Sequence, residues 1–449
     1  MLTNEQLLAC VEKHRKLILE AEKWLWAHPE TGYREHQTHA WLAARFQELG
    51  YELREAGDIP GFMADIDTGR PGPKVLFFGE MDSLICNEHP DADPITHAVH
   101  ACGHHAQCAG LLGLAAALKE PGALDGLSGS IRLCAVPAEE LIETGYRETL
   151  RQQGIIKYFG GKVEFLRRGY FDDVDMAMML HTTAGDDDFV ITKGSNGCLV
   201  KNIAYRGRAV HASAPYGSIN ALYAANLGMQ AINAIRETFR DEDHIRVHPI
   251  ITAGGAAVNA IPSDVRMESY VRGATMEAIR KANVRVNRAL ASAAAAMGAG
   301  CTLQDRPGYA PRQDDPTLVS LFNQAFEVVS PGKVLVTDRW GMGCTDMGDI
   351  SCVIPASQPY VGGAVGASHG CDYRIADAER ACVNAAKAQL IMAHLLLKDD
   401  AAAARQVKAT AKLPYSSIQA YLTEVDGLFL DADAVTYEGD TAAALNWGN

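Results

Sequence analysis

Residues 100–105 read His-Ala-Cys-Gly-His-His and bring a thiol and several imidazoles close together in the sequence. Thiolate and imidazole are strong ligands for Zn²⁺ and similar transition ions. Gly103 tolerates unusual backbone angles, so it would let Cys102 and His104 turn toward one point. The segment therefore predicts a metal site. A histidine-rich surface loop is the alternative that these residues alone leave open.

Two adjacent acids, Glu139 and Glu140, follow the apolar segment that ends at Val136. Adjacent side chains point in different directions, so one carboxylate can bind a metal while the other faces a water molecule. A metal ion lowers the pKa of bound water toward ~7, and a nearby carboxylate can accept the proton. The pair is predicted to combine a ligand with a general base, and the alternative is the solvated start of a helix.

The elements that would position these residues look like buried strands. They are Lys74–Phe78, Ser130–Val136, Val174–Leu180 and, with its flanks, Val353–Ile354. Helical stretches such as Ala106–Lys119 separate them, which indicates an α/β fold with a largely parallel sheet.

An acid or a histidine comes directly after the apolar part of each of the first three strand segments. These residues are Glu80 and Asp82, then Glu139 and Glu140, then His181. In open α/β sheets the ligand crevice lies beyond the carboxyl ends of the strands. These side chains are therefore predicted to meet at one edge of the sheet.

Between about Lys193 and Pro307 the predicted elements follow the order β-α-β-β-α-β, the ferredoxin-like arrangement. The strands are Cys198–Tyr205, His248–Thr252, Asp264–Val271 and Cys301–Asp305, and the helices are Ser218–Phe239 and Thr275–Met297. We predict a catalytic domain built from residues 1–192 and 308–449, with an inserted domain at 193–307. The acidic, Ala-rich tail from about Asp399 has no assigned role.

The composition favours a soluble globular protein of more than one domain, with 449 residues of which 48% are hydrophobic and 21% charged. A net charge of −14 would repel phosphate backbones, so nucleic acid is not an expected partner. No apolar run has the roughly 18 residues that span a membrane, and the start has no apolar stretch typical of a signal peptide. The 11 cysteines, an odd number scattered through a long chain, predict reduced thiols and a cytoplasmic location, and the lack of a CxxC pair argues against a structural zinc ribbon.

Further motifs recur in an order and spacing that together are specific. They are His28-Pro29-Glu30-Thr31-Gly32-Tyr33, Gly79-Glu80-Met81-Asp82-Ser83-Leu84, Pro137-Ala138-Glu139-Glu140, His181, His211-Ala212-Ser213, Gly254-Gly255 with Asn259-Ala260-Ile261-Pro262, Thr345-Asp346-Met347-Gly348 and Ser368-His369. With these motifs the chain resembles the M20 metallopeptidase/amidohydrolase family, in particular its aminoacylase-like branch. The resemblance implies a zinc-peptidase-like catalytic domain and makes 193–307 a lid and dimerisation domain.

The resemblance also implies the metal ligands and the base. Cys102 matches the bridging thiolate, the other ligands are matched by His104, Glu140, His181 and His369, and the general base is matched by Glu139. The family uses such a set to hold two divalent ions, one of which can be weak or absent. The metal implied here is a divalent transition ion such as Zn, Mn, Co or Ni, with one or two ions per subunit.

Two positions depart from the family pattern close to these ligands. Relatives usually carry Asp-x-Asp where this chain has Glu80 and Asp82, and they carry Asp where this chain has His105. Such residues would orient the ligands from behind, so metal affinity or occupancy is expected to differ. The stretch from Leu141 to Arg168 also replaces a glycine-rich turn of the relatives, so the pocket wall is expected to differ.

Three residues of the inserted domain match residues that touch the substrate in the family. His211 is implied to stabilise the developing oxyanion in the active site of a partner chain, which predicts a homodimer or higher homo-oligomer. Asn259 and Arg272 resemble residues that bind a substrate carboxylate, since an amide and a guanidinium suit that anion. The alternatives are an exposed loop histidine for His211 and a surface salt bridge for Arg272.

The leading hypothesis is hydrolysis of a C–N bond in a small carboxylate-bearing molecule, an N-acyl or N-aroyl amino acid or a dipeptide-like amide. One alternative at the same site is an aromatic aminohydrolase of the 5-nitroanthranilate type, in which water replaces a ring amino group and ammonia is released. The other alternative is a catalytically silent binding protein on the same fold, which predicts loss of the base or of ligands.

Overall fold

The computed structural model describes residues 1–439 and 442–448, which fall into two compact units. The first consists of Met1–Gly194, Gln313–Trp340 and Asp349–Ile418, and the second of Ser195–Arg312, Gly341–Gly348 and Gln419–Asn449. Among the described residues, no helix combines the length and apolar character needed to cross a membrane.

A six-stranded sheet forms the centre of the first unit. Its spatial order is Leu53–Glu55, Phe62–Asp67, Ser130–Val136, Lys74–Glu80, Met176–Met178 and Ala356–Ser357. The last four strands run parallel, and the first two pair antiparallel. The parallel strands are buried almost throughout, as strands covered by helices must be. The predicted α/β class with a largely parallel sheet is confirmed.

One predicted strand lies elsewhere in the structure. Val353–Ile354 forms the turn that follows the short helix Met347–Ser351, and the strand begins after Pro355, at Ala356–Ser357. Ile354 is buried in this turn and Val353 is half-buried, so the hydrophobicity of the pair reflects a buried turn and did not mark a strand.

A second sheet of the first unit carries two of the predicted ligands toward the first sheet. Its strands are Val334–Val336, Phe189–Ile191, Tyr360–Val365 and Arg374–Ile375, with His181–Ala184 paired in parallel to Tyr360–Val365. His181 opens one strand, and His369 lies in the turn after Tyr360–Val365. The helices of the first unit are Asn4–Glu12, Arg15–Trp26, His36–Glu48, His104–Leu118, Thr144–Gln152, Gly161–Arg167, Pro316–Val329 and Asn384–Thr410, the last interrupted by non-helical backbone at residues 398–401. The short helix Met347–Ser351 has its first two residues in the second unit, and Ile418–Asp426 lies in the second unit except for its first residue.

The second unit contains the predicted β-α-β-β-α-β order. Its strands are Gly197–Arg206, Ile250–Ala253, Asp264–Gly273 and Gly300–Tyr309, and its long helices are Ala221–Arg236 and Met276–Met297. The strands pair antiparallel, and the short strand Arg246–Val247 continues the edge. The apolar faces of both helices cover one side of this sheet.

The compact units do not follow the predicted ranges 1–192, 193–307 and 308–449 in two places, because Gly341–Gly348 and Gln419–Asn449 group with the second unit. Leu430–Asp433 adds a sixth strand beside Gly300–Tyr309, and Val435–Glu438 pairs with Ala442–Leu445. Arg306, which is buried, also bonds Asp431 at 2.8 Å. The tail therefore groups with the second unit, although its sequence follows the first unit in the chain.

Candidate metal centre

The carboxyl ends of three parallel strands place the predicted site residues at one edge of the first sheet. Glu80 is the last residue of its strand and pairs in register with Val136, two residues before the Ala138-Glu139-Glu140 turn. Met176–Met178 lies on the other side and leads to His181. Prediction and structure agree on this edge because parallel strands bring their carboxyl ends together.

Gly103 gives the Cys102–His104 segment its shape. Its φ is +90°, in the left-handed region, and a Cβ there would lie 2.1 Å from Thr182 Oγ1 and 2.3 Å from Tyr373 Oη. Both the angle and the space exclude other residues. The structure thus confirms the role predicted for this glycine.

Two groups of possible ligand atoms share the Cys102 thiol. One contains Cys102, His104 and His181, and the other contains Cys102, Glu140 and His369, with the ligand atoms of each group within 4.8 Å of one another. Ligand atoms around a tetrahedral Zn²⁺ lie roughly 3.3–3.8 Å apart, so only small closing movements are needed. The arrangement has the form of two adjoining sites with Cys102 between them.

Hydrogen bonds fix the ring nitrogens that face the thiol. His104 Nδ1 donates to the backbone oxygen of Asp82 at 2.9 Å and lies 3.1 Å from its Oδ1. His181 Nδ1 donates to the Thr182 oxygen at 2.9 Å, and its Nε2 lies 3.4 Å from Cys102 Sγ. In both rings the Nδ1 proton is held by an oxygen, which leaves Nε2 as the atom that would bind an ion.

The carboxylate of Asp82 contacts two of the predicted ligands, His104 and Glu140. Its Oδ1 faces His104, and its Oδ2 accepts from the backbone N–H of Glu140 at 2.8 Å. One buried carboxylate therefore orients the imidazole of one ligand group and the backbone of the other.

The charges of the cluster favour deprotonated ligands. Burial and Glu140 raise the pKa of the Cys102 thiol, but His104 and His181 outweigh them and lower it to about 5. Burial raises the pKa of Glu140, and His369 and His104 lower it to about 2. Glu140 in turn raises the pKa of His369 to about 11. Thiolate and carboxylate charges gathered at one buried point fit a divalent cation, which would replace the histidine protons.

Glu139 lies beside this cluster but in neither group that shares Cys102. Its Oε2 is 3.8 Å from His104 Nε2, and together with Glu80 and His104 it forms a third group of possible ligand atoms, one that does not include Cys102. Glu139 and Glu140 thus point to different sides, as the adjacent acids predict.

Glu80 is fully buried and has a partner that the sequence did not indicate. Lys162, also fully buried, forms an ion pair with Glu80 Oε1, and Gln107 Nε2 donates to Oε2 at 2.8 Å. Burial raises the pKa of Glu80, while Lys162 and His104 lower it to about 2. His104 Nε2 lies 3.2 Å from Glu80 Oε2, so this ion pair directly adjoins the candidate ligands.

Replacing Lys162 by Met is expected to lower the free energy of unfolding of the first unit by about 3–5 kcal/mol. The change leaves the Glu80 charge buried without its cation, which costs more than losing both charges together. Denaturant unfolding followed by tryptophan fluorescence measures the loss.

The double variant Glu80→Gln/Lys162→Met is the matched control, because it removes both charges. It should recover a large part of the lost stability. A double variant no more stable than Lys162→Met would contradict the inferred pair.

His105 faces away from the ligand groups. Its Nε2 lies 3.5 Å from Glu22 Oε1, and its ring lies 5.0 Å from that of Trp26 and 5.1 Å from that of His100. Consecutive residues of a helix point about 100° apart, so His105 cannot follow His104. Its role behind the ligands stays a prediction.

The three predicted substrate contacts belong to the second unit. His211 and Asn259 lie on two exposed loops that are neighbours. Ala212 N donates to Asn259 O at 3.0 Å, and His211 forms an isolated antiparallel β-bridge with Ala260. Arg272 is half-buried on the strand Asp264–Gly273, with its guanidinium 5.2 Å from the Tyr270 ring. The loops thus bring His211 and Asn259 together, and Arg272 lies in a different element.

Residues 76–393 match the model of the peptidase family M20/M25/M40. The chain belongs to this family. It is a metal-dependent hydrolase of the M20 type, and the ligand clusters described above fit one or two divalent ions. The family model covers both the Cys102 segment and His369.

Relatives with known activities lie at moderate identity. The chain is 26% identical to human Xaa-Arg dipeptidase over 379 residues, which is 78% of each protein. It is 30% identical to one component of the Escherichia coli p-aminobenzoyl-glutamate hydrolase over 258 residues, 54% of each protein. A solved dinuclear metal-binding M20 peptidase from Bacillus subtilis has the same fold, with a TM-score of 0.62, 20% identity and coverage of 86% of this chain and 98% of that one.

Proposed function

We propose that the protein hydrolyses the C–N bond of a small amide that carries a carboxylate, as an N-acyl or N-aroyl amino acid or a dipeptide does. The observation that carries the proposal is the position of Glu139 beside two ligand groups that share Cys102. This arrangement suits activation of one water molecule next to a polarised carbonyl group.

In this proposal, Cys102, His104, Glu140, His181 and His369 hold the metal. When bound, the ions supply Lewis acidity for the carbonyl group and for water. Glu139 accepts the proton of the attacking water at its carboxylate and passes it to the leaving nitrogen. Asp82 keeps His104 and Glu140 in place through both steps.

His211 is proposed as the donor to the developing oxyanion. Its Nδ1 accepts a hydrogen bond from the Ser213 backbone N–H at 3.1 Å and lies 2.7 Å from Ser213 Oγ. Nδ1 is therefore the acceptor nitrogen, and in the neutral ring Nε2 carries the proton. The exposed loop thus presents an N–H donor, as an oxyanion contact requires.

The carboxylate of the substrate is proposed to bind Asn259 and Arg272. The two relatives above are named for substrates that are a dipeptide and an aroyl amino acid, and both kinds of molecule carry a free carboxylate. An amide and a guanidinium are suitable partners for that anion.

A second copy of the chain is proposed as the partner of the second unit. The strand Ile250–Ala253 lies at a sheet edge and exposes Ile250, and the helix Ala221–Arg236 exposes Tyr223 and Leu227 one turn apart. An exposed strand edge with apolar neighbours is typical of a protein interface. The cytoplasmic location stays a prediction from the cysteine pattern.

A matched pair of amides tests the reaction and the substrate class. We expect metal-loaded protein to cleave p-aminobenzoyl-glutamate or an N-acyl amino acid into acid and amine, detected by mass spectrometry. Conversion of the α-carboxylate of the amino-acid part to a methyl amide should lower kcat/KM by ~10–100-fold, because a charge-assisted contact is lost.

The aromatic aminohydrolase alternative gives a different product pattern in the same screen. It predicts ammonia and a phenol from an aromatic amine, without a second organic product. Finding that pattern, together with no cleavage of any amide, would overturn the proposal.

A further inference from the structure

The turn that carries Glu139 and Glu140 has an unusual backbone. Ala138 is completely buried and has a φ of +58°, in the left-handed region that residues with a Cβ rarely adopt. Such a conformation persists only where the surroundings hold it in place. The turn therefore requires contacts that fix its backbone.

Those contacts come from four separate segments of the chain. Ala138 N donates to Glu35 Oε1 at 2.7 Å, and Gly161 N donates to Ala138 O at 3.2 Å. Glu140 N donates to Asp82 Oδ2 at 2.8 Å, and Glu140 O accepts from Arg147. Backbone groups on both sides of Glu139 are thus fixed before any substrate arrives.

Arg147 is the partner that the sequence did not indicate. It lies on the helix Thr144–Gln152, in the segment that replaces the glycine-rich turn of the relatives, and is 1% exposed. One terminal nitrogen donates to Glu140 O, and the other donates to Phe159 O at 2.7 Å. The planar guanidinium spans both carbonyl groups, a geometry that a lysine cannot reproduce.

The end of the His28–Tyr33 motif packs against the Arg147 side chain. A Cβ on Gly32 would lie 2.2 Å from the Arg147 guanidinium and 2.9 Å from Ala138 Cα. The Tyr33 ring lies 5.6 Å from the centre of the guanidinium. Glu35, two residues after this motif, accepts the hydrogen bond from Ala138 N, so the segment Gly32–Glu35 contacts both Arg147 and the turn.

We propose that Arg147 is a positioning residue that holds the Glu139–Glu140 turn, with the Gly32–Glu35 segment as its support. It acts through the backbone of Glu140, so both the ligand and the neighbouring base depend on it. The inference rests on the proposed function for the identity of the base.

Replacing Arg147 by Met is expected to weaken metal binding and also to lower the rate of the metal-saturated enzyme. The dissociation constant for Zn²⁺ or Mn²⁺ should rise ~10-fold, and kcat at saturating metal should still fall ~10-fold or more, with KM changed less than ~3-fold. Arg147→Lys can reach only one of the two carbonyl groups, so it should give intermediate values. It also keeps the test available if Arg147→Met does not fold.

Arg132→Met is the matched control in the same unit. Arg132 is 3% exposed, lies on the strand that leads into the turn, and is held by Asp65, Asp173 and the Tyr170 oxygen. Its loss should lower the unfolding midpoint while leaving kcat and the metal dissociation constant within ~2-fold.

The outcomes separate this inference from the proposed function. If Arg147→Met and Arg132→Met change kcat and metal binding equally, or if neither does while Glu139→Gln is inactive, the positioning role is overturned. If Glu139→Gln remains active, the proposed base is wrong. The metal dissociation constant of Arg147→Met then still tests whether Arg147 positions the ligand Glu140.

Discussion

Replacing Glu139 by Gln is expected to lower kcat by ~10²-fold or more while the metal content of the protein stays unchanged. The amide keeps the size and hydrogen-bonding reach of the carboxylate, but it cannot accept the proton of the attacking water. Glu139 belongs to neither ligand group that contains Cys102, so the metal should remain bound. Steady-state kinetics and metal analysis of the same sample measure both quantities.

Glu140→Gln is the contrasting variant, because it changes the neighbouring acid on the same turn. Glu140 belongs to a group with Cys102 and His369, and its Oε1 lies 3.1 Å from His369 Nε2. This variant should lose metal on dialysis, and added metal should restore part of its activity. Near-normal turnover of Glu139→Gln with full metal content would rule out the proposed mechanism for amide and aromatic substrates alike.

The sequence revealed those parts of the site whose residues are close together or end a strand. Cys102 and His104 flank one glycine, and Glu139 and Glu140 are adjacent, so their chemistry could be seen without a fold. The apolar strands before Glu80, Glu139 and His181 then predicted a common edge, and parallel pairing places them there. His369 and the assignment of the base came from the family resemblance alone.

The supporting partners could not be predicted because they come from distant segments. A buried acid such as Glu80 requires a buried cation, but no local pattern distinguishes Lys162 from the other charged residues of its segment. Arg147 lies only seven residues from Glu140, yet its helix reads as an ordinary polar surface element until the turn is known. The strand Leu430–Asp433 is equally hidden, since a short polar strand at a sheet edge has no hydrophobic signature.

Replacing His211 by Ala is expected to lower kcat by ~10²–10³-fold, the effect of losing about 3–4 kcal/mol of oxyanion stabilisation. His211 lies on an exposed loop of the second unit and belongs to none of the ligand groups found among the described residues. The unfolding midpoint and the metal content should therefore stay close to those of the unchanged protein. Ser213→Ala is the milder companion variant, because it removes the hydroxyl near Nδ1 but keeps the backbone N–H donor.

Mixing two inactive variants tests whether His211 serves the site of a partner chain. If each site combines Glu139 of one chain with His211 of the other, a heterodimer of Glu139→Gln and His211→Ala contains one site with both residues intact. Random reassociation makes about half of the dimers mixed, so activity should return to about a quarter of the unchanged protein's activity. If both residues act within one chain, every site of the mixture lacks one of them and activity stays at the level of the separate variants. A fully active monomer would contradict the arrangement equally directly, because it would need no second copy to complete the site.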